Sequence, residues 1–383
     1  FHFYDVDFCF SNYLDNVKIG VCTDIKVTHL SIGQTNDEWE ENRKDFAEKH
    51  KDVLPIKINR TLRKKEKLNI LIACLNFNDF TGSELHVYEL SKGLRKLGHD
   101  VTICSNVGGE MEKKAKSLGI KLYKTNEPPG FKLGDGKTSV QTPQGPVVMK
   151  EGQLYKLSDV RFDIMHLHHK PIVEHFLKLF PLTPTVCTIH SEVIDLEHPV
   201  KDNRIANYIC IRPEIQDFIV SKFEVDKDKT TVIYNPFDTD RFKKMPLPST
   251  EKERILFVGT IDYLRQNSIV DLIEETSQNN QELWIVGKKR TNLLDNLHAD
   301  HVKYFEPTWN VEQYIKQTHR TAGILLGRTT IEGWLCGRPG IIYQIDESGH
   351  IESKNLYDPP NDINKFSSKT IIDEIIKTYE LAL

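Results

Sequence analysis

The sequence predicts an α/β protein built from two consecutive halves, each a mostly parallel sheet with helices on both faces. Three observations carry that reading. From Leu68 onward, apolar runs of strand length alternate with amphipathic stretches of helix length, as in a covered parallel sheet. A second series of the same kind starts at Arg254. Between them YNPFDTDRFKKMPLP, with its prolines and turn residues, reads as a hinge. A chain of 383 residues is also too long for one ordinary core and suits two or three domains.

Ahead of the first series lies a block spanning residues 1–55, which opens FHFYDVDFCF. Val6, Cys9, Phe10, Tyr13, Leu14 and Val17 recur at helical spacing, with Asp5 placed to cap the helix. Ile25, Val27 and His29 alternate as a strand. Asp37–Lys49 reads as a polar helix that turns Trp39 and Phe46 inward. So short a block, with so little apolar surface, is not expected to be a domain by itself. IKINRTLRKKEK, residues 56–67, reads as a solvated basic linker, the alternative being a patch that meets an anionic membrane surface.

In the first half, residues 68–240, LNILIACL is a buried strand. The turn NFNDFTGSE leads into a helix with Val87, Leu90, Leu94 and Leu97 on one face, closed by Gly98. HDVTICS is the second strand, and Asp163–Leu167, Pro184–Ile189, Tyr208–Ile211 and Thr230–Tyr234 follow. Residues 125–155, rich in Gly, Pro and Lys, read as an inserted hairpin or loop. The second half, residues 241–383, has strands at ILFVGT, ELWIVG, VKYF, AGILL and GIIYQI. Helices are expected around Ile269–Thr276, Val311–His319 and Ile331–Cys336.

Composition narrows the partners. Hydrophobic content of 39% and charged content of 28% describe a soluble globular protein, and a net charge of -4 gives no general attraction to nucleic acid. Seven cysteines form no CxxC pair; Cys74, Cys104, Cys187 and Cys210 lie in apolar runs and are expected to be buried, reduced thiols of a cytoplasmic protein. No apolar stretch approaches the ~20 residues that span a bilayer. A first residue other than Met suggests a fragment or a processed chain.

Several strand ends carry chemistry-bearing residues. Gly82 stands where the chain enters a helix, where backbone N–H groups approach an anion or simply make a tight turn. Arg265 follows FVGT, and Lys288, Lys289 and Arg290 follow Gly287; cations at two neighbouring strand ends suit a diphosphate. In GRTTIEGWLCGRPG, Thr329 and Glu332 match a capping box. The competing reading is a turn at Arg328, Thr329 and Thr330 whose free N–H groups hold phosphate while Glu332 binds a ribose. In MHLHHK, His166 and His168 share one strand face and His169 the other, with no third ligand at a spacing that completes a metal site. VCTIHSEVID ends a buried strand at His190, at the lip where a substrate hydroxyl arrives or where a satisfied histidine closes the strand.

Taken together, LNILIAC…TGSELHVYELSKGLRKLGHDVTI, DIMHLHH, TIHSE, VIYNPFDTDRF, ILFVGT, ELWIVG and GRTTIEGWLCGRPGIIY resemble a GT-B glycosyltransferase of family 4 over about residues 66–350. The resemblance implies two Rossmann-like domains facing a cleft, the second holding a UDP- or GDP-sugar. It implies Gly82, Arg265 and Lys288 near the diphosphate, Glu332 near the ribose, and His190 at the acceptor or transferred sugar. It further implies retention of anomeric configuration with no metal or other cofactor, and a glycan or lipid-linked acceptor. Two positions depart from the family pattern: Ile324 stands in place of an earlier Glu, and Val270 in place of a Lys. A catalytically silent module that binds nucleotide or glycan is the alternative, and a sugar-nucleotide epimerase of the same architecture a further one. FHFYDVDFCF…VCTDIKVTHLSIG is similar to the closing part of a GT-A, family 2 domain, with an acid of YDVD as its base and His29 as metal ligand. That resemblance implies a larger tandem transferase.

Overall fold

The computed structural model describes residues 4–15, 17, 37–54, 66–124, 147–150, 153–157, 160–192, 194–263, 265–292, 295, 299–324, 326–346 and 348–383. For residues 4, 5, 147–150 and 153–156 it describes the backbone only. Two compact units divide the chain, Phe1–Arg63 and Lys64–Leu383.

The first unit contributes α1 (Tyr4–Leu14) and α2 (Asp37–Lys49). Asp5 falls inside α1 rather than before it, so it is not the N-cap its position suggested. Asp7 accepts a hydrogen bond from Lys49 Nζ at 2.6 Å and lies 2.7 Å from His50 Nε2. The Lys49 bond, then that of His50, holds its carboxyl below the usual range. Phe10 meets the rings of Phe46 and His50 edge-on, at 5.7 and 4.8 Å. The helix stops short of Val17, which is exposed. The strand expected at Ile25–His29 and nearly all of the basic linker lie outside the described residues.

The second unit begins with β1 (Asn69–Phe77), α3 (Gly82–Lys96), β2 (Asp100–Val107), α4 (Gly109–Ser117) and β3 (Lys121–Lys124). An antiparallel hairpin, β4 (Val147–Lys150) with β5 (Gln153–Lys156), lies in the expected insertion, whose residues 125–146 are outside the described ones. The series continues with β6 (Ile164–His168), α5 (Lys170–Leu179), β7 (Thr185–Ile189), β8 (Ile205–Cys210), α6 (Pro213–Phe223) and β9 (Thr230–Val232). The strands form one parallel sheet in the order β3-β2-β1-β6-β7-β8-β9. Ile70, Leu71, Ile72 and Ala73 are buried in succession because both faces are covered. Leu97 does not join the apolar face of α3; it is the C-cap and half exposed, and Gly98 takes the left-handed φ of 88° beyond it.

The next elements are β10 (Arg254–Val258), α7 (Gln266–Gln278), β11 (Glu282–Val286), β12 (Val302–Phe305), α8 (Glu312–Ile315), β13 (Arg320–Ile324) and α9 (Arg328–Leu335). They are followed by β14 (Gly340–Ile345), β15 (Ile351–Tyr357) and α10 (Ser368–Ala382). This sheet runs β12-β11-β10-β13-β14-β15, parallel except for the antiparallel edge strand β15. The helix expected over Val311–His319 is a single turn, α8.

The last helix changes the domain boundary. Ile371, Ile372, Ile375 and Tyr379 of α10 are buried in one cluster with Val87, Leu90 and Leu94 of α3. The unit 241–383 is therefore not self-contained, because its final helix crosses back and covers the first sheet. Gly93 makes room for it: a Cβ there would lie 2.5 Å from Ile372 Cγ1. Among the described residues no helix is long and apolar enough to cross a membrane.

Candidate functional site

Both sheets reverse strand order once, between β1 and β6 and between β10 and β13. Ligands of open α/β sheets sit outside the carboxyl ends of the strands at such points. There the two halves enclose a cleft of about 750 Å³. Gly82, His190, Arg265, Lys288, Arg328, Thr329, Thr330 and Glu332, scattered over some 250 positions of sequence, all line it.

On the first half, the loop from β1 to α3 is tied down by Glu84. Its buried carboxylate accepts from the amides of Asp79 at 2.9 Å and Thr81 at 3.4 Å, so the capping-box arrangement sits here, at Thr81 and Glu84. Burial raises the Glu84 pKa, against the pull of those amides. A Cβ on Gly82 would meet no atom within 4 Å, so the helix start faces open space.

On the second half, Arg265 precedes α7 and pairs with Asp262 at 2.5 Å. Lys288 reaches across the cleft to Asp79, 3.0 Å away. Lys289 turns elsewhere, to Asp295 at 2.9 Å and over the Tyr304 ring, and does not line the cleft. Gly287 is required sterically: a Cβ there would fall 1.8 Å from the carbonyl oxygen of Gly259. Gly287→Ala is accordingly expected to push β10 and β11 apart at their cleft ends. A drop in melting temperature with loss of ligand-induced stabilisation would register it.

The helix α9 overturns the capping-box reading of Thr329 and Glu332. Gly327 is the N-cap and offers no side chain. Thr329, the second helical residue, donates to the Val258 carbonyl at 3.3 Å. Glu332 accepts from Arg328 Nε at 2.8 Å, both side chains under a tenth exposed, and Arg328 also lies over the Phe237 ring. Burial raises the Glu332 pKa, with Arg328 opposing it. The first amides of α9 have no partner within the helix, and no capping side chain competes for them.

Five histidines gather at the cleft wall, which His169 and His190 themselves line. His166, His168 and His190 stack in succession, His168 and His190 lying 5.1 Å apart, while His86 of α3 meets His168 and His190 edge-on and His169 lies tilted against His190. Burial lowers the pKa of each and holds it neutral. His169 is a turn residue with φ 67°, rather than an opposite-face strand residue. The Leu75 amide donates to its Nδ1 at 3.2 Å, and its Nε2 lies 3.3 Å from Glu197. Glu197 also accepts from the His190 amide at 3.2 Å; burial pushes its pKa up to about 7.

The third histidine that the sequence did not supply is His86, which with His166 and His168 brings three ring nitrogens within 4.8 Å of one another. Both nitrogens of His166 are already engaged, by Tyr379 and Thr188 at 2.6 Å each. That leaves two unpartnered nitrogens, Nε2 of His86 and of His168, which is short of a zinc ligand set.

Residues 80–241 match the model of Glycosyltransferase Family 4. Among solved structures, Anabaena HepE in complex with UDP-glucose aligns with a TM-score of 0.56 at 16% identity, over 82% of this chain and 92% of HepE. The fold is GT-B. A glycosyltransferase from Rickettsia africae shares this GT-B fold at a TM-score of 0.53 and 14% identity, over 83% of this chain and 91% of its own. AviGT4, a glycosyltransferase involved in avilamycin A biosynthesis, aligns at 0.51 and 11%, over 82% and 98%. No curated protein matches the chain. The GT-B cleft contains groups that sequence reading passed over, namely Asp79, Glu84, Glu197, Asn235 and Arg241. Only Thr81-x-x-Glu84 carried a local signal, its spacing; the others reach the cleft through long-range packing.

Proposed function

We propose that this chain is a glycosyltransferase that moves a sugar from a UDP- or GDP-sugar to a hydroxyl of a glycan or lipid-linked acceptor, with retention and without a required metal. The observation that carries the reading is the cleft itself, with Arg265, Lys288 and the start of α9 on one wall and His190 on the other. The family-model match over 80–241 and the complex of HepE with UDP-glucose point the same way.

The donor diphosphate lies against Arg265, Lys288 and the free amides of α9, where preorganised donors stabilise the charge that develops as the sugar departs. Oε1 of Glu332 is held by Arg328, and its Oε2 accepts from the ribose. His190 faces the transferred sugar. The bond from the anomeric carbon to the diphosphate breaks while the acceptor oxygen attacks the same face and gives its proton to the departing phosphate oxygen. Ile324 and Val270 favour a second reading, a silent nucleotide- or glycan-binding GT-B module. Residues 1–55 we read as the closing part of a GT-A domain, in which Asp7, one acid of YDVD, pairs with Lys49 and His50.

Thermal shift with a panel of UDP- and GDP-sugars, followed by product analysis with acceptors, tests the proposal. One nucleotide is expected to raise the melting temperature by mass action, and turnover should release the free diphosphate. His190→Ala should keep the nucleotide shift and lose about 100-fold in transfer, the scale of one removed transition-state donor or acceptor. Lys288→Ala should weaken donor affinity about tenfold, as befits one charged hydrogen bond, whereas Lys289→Ala should not. Binding of a nucleotide or a glycan without turnover selects the silent module; no binding of either overturns both.

A further inference from the structure

The loop from β1 to α3 is gripped across the cleft by the second half. Lys288, just past β11, donates to Oδ2 of Asp79 at 3.0 Å, and the Trp309 ring meets that of Phe80 edge-on at 6.0 Å. The loop is also fixed from its own side. The Asp79 amide donates to Glu84 at 2.9 Å, and the Phe80 amide donates to Oδ1 of Asp79 at 2.9 Å. The carboxylate therefore has a set position, with its other oxygen turned to the ammonium. Burial opposes its charge, but the bonds from Lys288 and the Phe80 amide outweigh that and hold the carboxyl below its usual range; the nearby charges of Lys288 and Arg290 add to this. Lys288 is the adaptable partner, its side chain 55% exposed against 25% for Asp79.

The two cations of the second half differ in what such a partner takes from them. Arg265 pairs with Asp262 of its own half, and a guanidinium has enough N–H donors to keep that bond and still reach a phosphate. The Lys288 ammonium is a compact point charge, so a carboxylate on it directly offsets its pull on a second anion. That offset falls unequally on donor and product. A sugar nucleotide carries its diphosphate esterified at both ends. The nucleoside diphosphate left after transfer ends in a free phosphate, which gains a further negative charge at about pH 6. Cations alone would therefore hold the product more tightly than the donor. A fixed carboxylate beside one of them works in the opposite direction.

We propose that Asp79 is a positioning residue acting through Lys288: it withholds part of that ammonium from the diphosphate, most strongly from the product, and draws Lys288 back across the cleft as the product leaves. This rests on the glycosyltransferase reading, which puts the diphosphate at Lys288.

The test is calorimetry of the intact protein with UDP and GDP and with a panel of their sugar esters. Asp79→Asn keeps an acceptor for the Phe80 amide and removes the charge. It is expected to bind the recognised nucleoside diphosphate about fivefold more tightly than the wild type, the upper end of what so exposed an ion pair is worth. The sugar ester should gain less, and the free nucleoside diphosphate should become the stronger product inhibitor of transfer by the same factor. Loss of a merely structural contact would weaken binding instead. In a Lys288→Ala background, Asp79→Asn should change affinity by less than about twofold, because the coupled partner is gone. Asp79→Ser removes the same charge should the asparagine variant not fold. Unchanged or weaker product binding by the charge-free variants overturns the inference. So does a gain that persists without Lys288, which is plain repulsion through space, or an equal gain for donor and product. Wild-type binding with none of these changes defeats this inference alone; no binding of either nucleotide by any variant defeats the glycosyltransferase reading with it.

Discussion

Glu332→Ala is expected to eliminate measurable transfer and also to destabilise the fold. The carboxylate is 3% exposed and neutralises Arg328, itself buried over Phe237 beneath the start of α9. Removing one partner of a buried pair strands the other charge, at about 3–5 kcal/mol. On the proposed reading an acceptor for the donor's ribose is lost as well, worth about 1.5–3 kcal/mol for a hydrogen bond to a charged group. Glu332→Gln separates the two effects, since its amide oxygen can still accept from Arg328 Nε. The glutamine variant should keep more of the stability, measured by denaturant melts, than of the donor affinity, measured by calorimetry. Wild-type affinity in a folded glutamine variant would remove Glu332 from the donor site.

Arg338→Ala should be the most damaging substitution that touches no substrate. This side chain is fully buried and its guanidinium donates to five backbone carbonyls. They are those of Ile315 at 3.2 Å, Met245 at 2.8 Å, Cys336 at 3.4 Å, Pro246 at 2.6 Å and Lys316 at 3.3 Å. The arginine thereby pins the connecting segment at Met245–Pro246 to the turns after α8 and α9. Each unmatched buried acceptor costs about 1–3 kcal/mol, so a loss of at least 3 kcal/mol in unfolding free energy is expected. Arg338→Lys should rescue little, because an ammonium cannot span the planar fork of donors. A melting temperature within a degree or two of wild type for the alanine variant would contradict this account.

How legible each part was depends on how local its cause is. The inner strands of both sheets announced themselves because burial on two faces demands unbroken apolar runs such as NILIACL and ELWIV, whereas the short, half-exposed edge strand β3, KLYK, did not. β15 did not, because it is an exposed antiparallel edge whose residues IESKNLY show no apolar alternation. The helix α10 was missed for a different reason. Its amphipathic face is ordinary, but its partner surface on α3 lies far earlier in the chain. The same Thr-x-x-Glu spacing occurs at Thr81 and at Thr329, and only at the first does the glutamate reach the N-terminal amides. At the second, a buried arginine one turn back takes the carboxylate instead.

By itself, then, the sequence determined two parallel-sheet halves, the strand ends at which charged and imidazole groups stand, and the resemblance that links them to sugar-nucleotide chemistry. These are consequences of periodicity and of turn residues, which act over a few positions. Tertiary structure alone decided that Lys288 rather than Lys289 faces the cleft, that Glu332 is paired with Arg328, and that His86 meets His168 and His190 edge-on. Those outcomes depend on which side chains packing brings within a few ångströms, and no spacing along the chain encodes that directly.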